Sequence, residues 1–121
     1  MIDHVTIRVS DFDASKRFYT TVLEPLHRGL DWEDSSASFA EWGDFSIAQD
    51  GGPVTRDLHI AFAASNRKEV DDFHAAALAG GYRDNGEPGE RPQYHPGYYA
   101  AFVLDPDGNN VEAVFHDRPA A

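Results

Sequence analysis

The sequence predicts an α+β fold of two tandem βαβββ modules whose strands form a curled mixed sheet around a cleft. Three observations predict it. A strand-then-helix pattern opens the chain and recurs near its middle. A shift of 55 positions superimposes the two halves. The chain also closes on a strand–turn–strand pattern around the turn residues 105–110, which is typical of a β-hairpin.

Length and composition indicate one domain and exclude several function classes. With 121 residues, 41% of them apolar, the chain can bury a sizeable core as a single domain, residues 1–121. The net charge of −11 disfavours nucleic acid or an anionic membrane as a partner. Zero cysteines exclude disulfides and thiolate metal sites. No apolar run approaches the roughly 20 residues of a membrane span and no secretory pattern opens the chain, so we expect a cytoplasmic protein.

The first module, about residues 1–52, begins with a strand that alternates between apolar and polar residues. Over residues 2–9, Val5 and Ile7 lie on the apolar side and His4 on the polar side. Ser10-Asp11 can cap the following helix, which Pro25 ends. Three short strands follow, and we predict them at Leu26–Trp32, Ser36–Trp42 and Phe45–Gln49.

The second module, about residues 53–121, repeats this order. Residues 57–64 alternate, with Ile60 on the apolar side and His59 opposite. Asn66 and Glu69 form a capping-box pattern for a helix that Gly80-Gly81 ends. We predict a loop over residues 84–94, with at most a short strand near residues 81–83, before the closing hairpin.

The two halves agree at eight positions when they are shifted by 55 residues. The agreement runs through a strand and a helix, and it pairs His4 with His59. A further alignment, allowing a two-residue difference in the last turn, pairs Phe39 with Phe102 and Ile47 with Glu112. Repetition over this length predicts one structural unit used twice.

Three residues with metal-binding side chains share the polar side of three strands. They are His4, His59 and Glu112, and the neighbours of each belong to the apolar side. Two imidazoles and one carboxylate form a facial triad suited to a divalent Fe, Mn, Zn or Ni ion, with positions left for water or substrate. The alternative for each residue alone is an exposed position on a solvated sheet face. Glu41, another strand carboxylate, is a possible fourth ligand.

The segment between the predicted loop and the hairpin holds the candidate catalytic residues, His95 and Tyr99. His95 could be a lid residue, a proton donor or an exposed side chain. Tyr98 and Tyr99 have opposite strand parity, so only one of them reaches the polar face, and the sequence leaves open which one. No phosphate-binding glycine loop, nucleophile elbow or basic aromatic surface is present.

The chain resembles the vicinal oxygen chelate superfamily, which includes glyoxalase I, extradiol dioxygenases, fosfomycin-resistance transferases and bleomycin-binding proteins. The resemblance spans essentially the whole chain. It rests on the strands that hold His4 and His59, on Phe18-Tyr19 in the first helix, and on the Asp105-Pro106-Asp107-Gly108 turn that leads to Glu112. It implies paired βαβββ modules around a metal or ligand cleft, with His4, His59 and Glu112 at the family's metal positions.

The resemblance to single branches of the superfamily is less specific. Residues 94–99 with the following turn resemble the dioxygenase signature, but Phe102 stands where that signature prefers tyrosine. Glyoxalase I has a second glutamate on the fourth strand, where the alignment places Ile47; Gln49 or Glu41 could partly replace it. The cationic cluster that holds a phosphonate in fosfomycin enzymes is missing from the pattern.

Two functions from different classes follow. The first is a metal-dependent lyase, isomerase or ring-cleaving dioxygenase that acts on a small oxygen-chelating substrate. The second is a metal-free protein that binds or sequesters a small molecule, as bleomycin-resistance proteins do. The resemblance also implies an isologous homodimer, in which the first strand of one chain can complete a site begun by the other.

Overall fold

The structure, a computed structural model, describes residues 1–118. The elements of the first half are β1 (Val5–Arg8), α1 (Phe12–Leu23), β2 (Trp32–Asp34), β3 (Phe39–Trp42) and β4 (Phe45–Ala48), with 3-10 turns at Glu24–Leu26 and Ser35–Ala37. Those of the second half are β5 (His59–Ala63), α2 (Arg67–Ala79), β6 (Arg83–Glu90), β7 (Tyr98–Leu104) and β8 (Asn110–His116). Neither helix is long and apolar enough to cross a membrane.

Each half forms its own four-stranded mixed sheet, and the two sheets have the same topology. The strand orders are β1-β4-β3-β2 and β5-β8-β7-β6. In both sheets the first strand pairs in parallel with the last, while the other pairs are antiparallel. The prediction of two βαβββ modules in an α+β fold is therefore confirmed.

A single buried core joins the two modules. Ile7 and Phe45 from the first sheet, Phe62 and Val111 from the second, and helix residues such as Phe18 belong to one apolar cluster. Successive side chains of a strand point to opposite faces of its sheet. Because the apolar faces of both sheets pack into this shared core, their polar faces point away from it.

The first module departs from prediction after the first helix. Residues 26–32, predicted as a strand, contain the end of a 3-10 turn, and β2 comprises only Trp32–Asp34. His27 adopts a left-handed conformation with φ 60°, which breaks the extended pattern that its neighbours suggest. The predicted strand 36–42 is likewise shortened, because Ser35–Ala37 forms a 3-10 turn capped by Asp34.

The predicted loop over residues 84–94 is wrong for most of its length. Residues Arg83–Glu90 form β6, which pairs antiparallel with β7. The register shifts twice along this pair, on either side of Gly86. Glycine and proline in a strand mark edge positions and bulges as often as loops, and β6 is an edge strand.

The ladder register corrects the alignment of the last strand. Thr6 pairs with Ser46, and the counterpart of Thr6, Ala61, pairs with Glu112. Ser46, rather than Ile47, therefore occupies the position equivalent to Glu112. By the same reasoning Glu41, which pairs with Ser46, is equivalent to Phe102, which pairs with Glu112.

The error lies in the length of the hairpin connection. The equivalent strand pairs are Trp42–Phe45 in the first module and Val103–Val111 in the second, and they enclose two and seven residues. The two connections therefore differ by five residues, whereas the alignment of the two halves assumed a difference of two residues. Turn length cannot be read from strand patterns, which are alike on either side of the turn.

Candidate metal centre

Glu112 is a fully buried carboxylate in the middle of β8. Its Oε1 lies 2.6 Å from His59 Nε2, and its Oε2 accepts a hydrogen bond from the Tyr98 hydroxyl. A buried carboxylate costs free energy unless it is hydrogen-bonded, and here both oxygens have a partner. The structure thus brings together two of the three predicted ligands, His59 and Glu112.

His59 begins β5, the strand at the edge of the second sheet. Its side chain is 56% exposed, whereas that of Glu112 is 1% exposed. The pair therefore has an inner, fixed carboxylate and an outer imidazole that faces solvent. A ligand can approach this site from the His59 side.

The tyrosine beside Glu112 is Tyr98, and the expected role of Tyr99 is corrected. The Tyr99 hydroxyl donates to Asp71 Oδ1 of α2 at 2.6 Å, on the helix-covered face of β7. Tyr98 lies on the opposite face because the two residues are adjacent in one strand. Burial and the hydrogen bond to Glu112 raise the pKa of the Tyr98 phenol.

His4 lies apart from the other two predicted ligands. It precedes β1, its side chain is 68% exposed, and its Nδ1 lies 2.8 Å from Asp3 Oδ1. Within residues 1–118, no group of three or more His, Asp or Glu side chains is arranged to hold a metal ion. Strand periodicity assigns each of the three predicted ligands to the polar side of its own strand, but it does not determine whether the three side chains meet.

The polar face of the first sheet has its own cavity, of about 430 Å³. His4, Thr6, Glu41 and Ser46 are among its lining residues, and Thr6 Oγ1 lies 2.7 Å from Ser46 Oγ. Glu41 is thus on the side of His4, away from Glu112. Gln49 Oε1 accepts a hydrogen bond from the backbone N–H of Phe12, so the Gln49 side chain binds the first residue of α1.

His95 lies beside Tyr98 at one end of the second sheet. The two rings meet edge to face with centroids 5.3 Å apart. His95 Nε2 is 2.9 Å from Nδ1 of His116, the last residue of β8, and His95 Nδ1 is 2.8 Å from the Pro96 carbonyl oxygen. His116 was not predicted to belong to this group, although its even-numbered position on β8 places it on the same face as Glu112.

The turn that positions β8 is fixed by Asp105. Its Oδ1 accepts from the backbone N–H groups of Asp107 and Asn109 at 2.9 Å each. Its Oδ2 accepts the Tyr19 hydroxyl of α1 at 2.6 Å. The carboxylate therefore both shapes the turn and attaches it to the helix.

Comparison with known proteins identifies the family. Residues 1–113 match the family model of the Glyoxalase/Bleomycin resistance protein/Dioxygenase superfamily. The chain belongs to this superfamily. A search of curated proteins found no significant match.

Solved structures of the superfamily share the fold. A glyoxalase/bleomycin resistance protein from Albidiferax ferrireducens T118 is 33% identical, with a TM-score of 0.78 over 93% of this chain and 96% of that one. A lactoylglutathione lyase from Agrobacterium tumefaciens is 20% identical, with a TM-score of 0.68 over 95% and 92% of the two chains. The oxidase ChaP-H2 is 22% identical, with a TM-score of 0.67 over 100% and 95%. The last two likenesses show the fold alone.

Proposed function

We propose that the protein is a metal-dependent enzyme that acts on a small substrate with two neighbouring oxygens. His59 and Glu112 of one subunit and His4 of the partner subunit would hold a divalent ion in a homodimer. The observation that carries the proposal is the His59–Glu112 pair, an imidazole and a buried carboxylate within 2.6 Å at the mouth of the second sheet.

The donor set fits a divalent metal ion. Imidazole nitrogen and carboxylate oxygen suit Fe, Mn, Zn and Ni. Two ligands bound at about 2.1 Å and at a right angle are about 3 Å apart, so a small rotation of the exposed His59 ring would admit an ion. Tyr98 would hold the second oxygen of Glu112, as an outer hydrogen bond orients a ligand.

The sheet edges support a site shared between two chains. β1 and β5 are both edge strands. His59 is the first residue of β5 and His4 is the residue just before β1, and the shift of 55 positions pairs the two histidines. Pairing of β1 with β5 of a second copy across a two-fold axis would place one His4 beside each His59–Glu112 pair. Thr55 already bonds both backbone polar groups of Arg8, so only the first part of β1 is open for this pairing.

The residues of the chain would then have distinct roles. The metal, when bound, would act as a Lewis acid towards the substrate oxygens and stabilise negative charge that develops on them. Glu112 and His59 would fix the position of the ion. The second sheet, in which Glu112 is buried, would exclude water from the side of the ion away from His59. His95, next to Tyr98 and partly exposed, would carry a proton to or from the substrate.

Metal content tests the ligand set. Protein purified without chelators should contain about one divalent ion per chain, and His4→Ala, His59→Ala and Glu112→Ala should each lose most of it. His27→Ala is the matched control, because His27 is an exposed histidine that is not one of the three proposed ligands. Full metal content in the His59→Ala variant would contradict the proposal.

Sedimentation equilibrium at micromolar protein tests the shared site. We expect the mass of a dimer, and mixing the His4→Ala and Glu112→Ala variants should restore metal at half of the sites in a mixed dimer, because only one of its two triads is complete. A monomeric mass together with full metal content would exclude a shared site.

One observation favours the second candidate, a metal-free binding protein. Glu112 already has a partner for each oxygen within its own chain, so its burial does not require a metal. A dimer that takes up no divalent ion, even when ions are supplied in excess, would favour this function over the enzyme.

A further inference from the structure

We propose that Arg91 binds a carboxylate of the ligand and thereby selects small organic acids. The proposal rests on the proposed function in one respect, since it assigns the polar face of the second sheet, beside His59 and Glu112, as the ligand site. It names the substrate class: a small organic acid whose carboxylate binds Arg91 while its other oxygens face His59 and Glu112.

Arg91 directly follows β6 and lies on the polar face of the second sheet. Its guanidinium carbon is 5.4 Å from the centre of the Phe102 ring. The His59 ring centre is 6.1 Å from that of Phe102. The cation and the imidazole of the candidate metal centre therefore both lie next to the same phenyl ring.

Within residues 1–118, no carboxylate lies within ion-pair distance of Arg91. The carboxylate of its sequence neighbour Glu90 binds another arginine, since Glu90 Oε1 lies 2.8 Å from Arg67 Nη2, and Arg91 contacts Glu87 through the backbone carbonyl of that residue. The chain has 21 acidic and only 10 basic residues. A half-buried arginine without a carboxylate partner is notable against that excess of acid.

The guanidinium is nevertheless held in place. Arg91 Nη2 donates to the carbonyl oxygen of Glu87 at 2.8 Å, and Nη1 donates to that of Glu90 at 3.4 Å. These neutral acceptors use two of its five N–H groups and leave the charge uncompensated. A planar guanidinium fixed in this way loses little conformational freedom when it binds a carboxylate through two parallel hydrogen bonds.

Two glycines of β6 make room for this arrangement. A Cβ at Gly86 would lie 2.8 Å from the Phe102 ring, and one at Gly89 would lie 3.0 Å from Arg91 Nη1. Side chains at these positions would displace the ring and the guanidinium. The glycine-rich composition of β6, which suggests a loop, instead accommodates Phe102 and Arg91 on the polar face.

Benzoate and benzamide are matched probes, because they share a ring and differ in charge. Binding of each to the full-length protein is measured by NMR titration, before and after chelator treatment. We expect benzoate to bind at least about fivefold more tightly than benzamide, and Arg91→Gln to reduce this preference to about onefold. Arg91→Lys should retain part of it, and Arg83→Gln, which alters an exposed arginine at the start of β6, should retain all of it.

Three results would overturn the proposal. They are a benzoate preference that persists in Arg91→Gln, no benzoate binding by folded wild-type protein, and a weaker dimer in Arg91→Gln with an unchanged preference. The last result would assign Arg91 to an ion pair between subunits. Since the preference is also measured without metal, a protein that binds no metal but keeps the preference would refute the metal centre and leave the role of Arg91 intact.

Discussion

At the scale of single residues, the most connected side chain is a carboxylate outside the candidate metal centre. Asp105 binds two backbone N–H groups of its own turn and the hydroxyl of Tyr19 on α1. Burial and the charge of Asp105 raise the pKa of Tyr19, so this phenol stays protonated and donates at neutral pH. The contact links the first helix to the strand that holds Glu112.

Removing this hydroxyl should destabilise the fold. We expect Tyr19→Phe to lower the free energy of unfolding by about 2 kcal/mol, because a buried carboxylate loses a charge-assisted donor. Urea unfolding measures the change. Tyr94→Phe is the control: Tyr94 is 60% exposed, and its substitution should change stability by less than about 0.5 kcal/mol. Equal effects of the two variants would contradict the role of Asp105.

A second residue pair should give the protein an acid-sensitive contact. His74 Nε2 of α2 lies 2.9 Å from Asp84 Oδ1 of β6. This hydrogen bond, together with the N–H of Gly86, holds the pKa of Asp84 below its usual 3.8. Because the pKa of Asp84 is lower in the folded than in the unfolded state, this carboxylate stabilises the fold at pH values above its unfolded-state pKa. The stabilisation is lost as the pH falls through the folded-state pKa.

The stability of wild type and Asp84→Asn should therefore differ at pH 7 and converge below about pH 4. Urea midpoints at a series of pH values measure this difference. Asp72→Asn is the control, because it removes the ion pair between Asp72 and Lys68 of α2, in which both side chains are exposed. A difference between wild type and Asp84→Asn that grows as pH falls below 4 would show that the contact has the opposite sign.

At the scale of elements, the end of β8 is joined to the segment before β7 through a glycine. Gly97 has φ 84°, and its carbonyl accepts from the N–H of Asp117 at 2.7 Å. A Cβ at Gly97 would overlap the backbone carbonyl of Asp117. This close approach of two backbones keeps Tyr98, the next residue, beside Glu112.

Alanine at Gly97 should be far more costly than alanine at another glycine of similar conformation. Gly108 has φ 85°, but a Cβ there meets no atom within 4 Å. We expect Gly108→Ala to lower stability by about 1 kcal/mol, from backbone strain alone, and Gly97→Ala by about 3 kcal/mol, from strain plus steric overlap. Thermal or urea unfolding compares them, and similar losses would contradict the close approach.

At the scale of the whole molecule, the shared core and the open sheet edges decide how a site can form. The core faces of both sheets are used within one chain, whereas the β1 edge remains open and carries exposed apolar residues. Ile2 is 75% exposed and Val5 is 38% exposed. An edge of this kind is typically covered by another chain.

A charge at this edge should weaken the proposed homodimer. We expect Ile2→Asp to raise the dimer dissociation constant at least tenfold, about 1.4 kcal/mol, because an aspartate would be buried without a partner. Analytical ultracentrifugation measures it. Leu78→Asp is the matched control, since Leu78 is 46% exposed on α2. A dimer that Leu78→Asp disrupts and Ile2→Asp does not would place the interface elsewhere.

The sequence by itself determined the two modules and the face on which each candidate ligand lies. Alternation with period two assigns His59 and Glu112 to the polar side of their strands, and the capping patterns at Asp11 and Asn66 begin the helices where the structure has them. These features depend on local backbone preference and on burial of one face. Backbone preference and one-sided burial both produce local patterns that can be recognised in the sequence.

Tertiary structure decided everything that depends on register and on distance across the fold. The length of the hairpin turn set the register in which Ser46 is the counterpart of Glu112. Tyr99 lies on the helix-covered face of β7, where it binds Asp71, so Tyr98 is the tyrosine beside Glu112. The tertiary arrangement also left His4 outside any group of three metal-binding side chains within residues 1–118. Periodicity tells which side of a strand a residue occupies, but the packing of the sheets decides which sides meet.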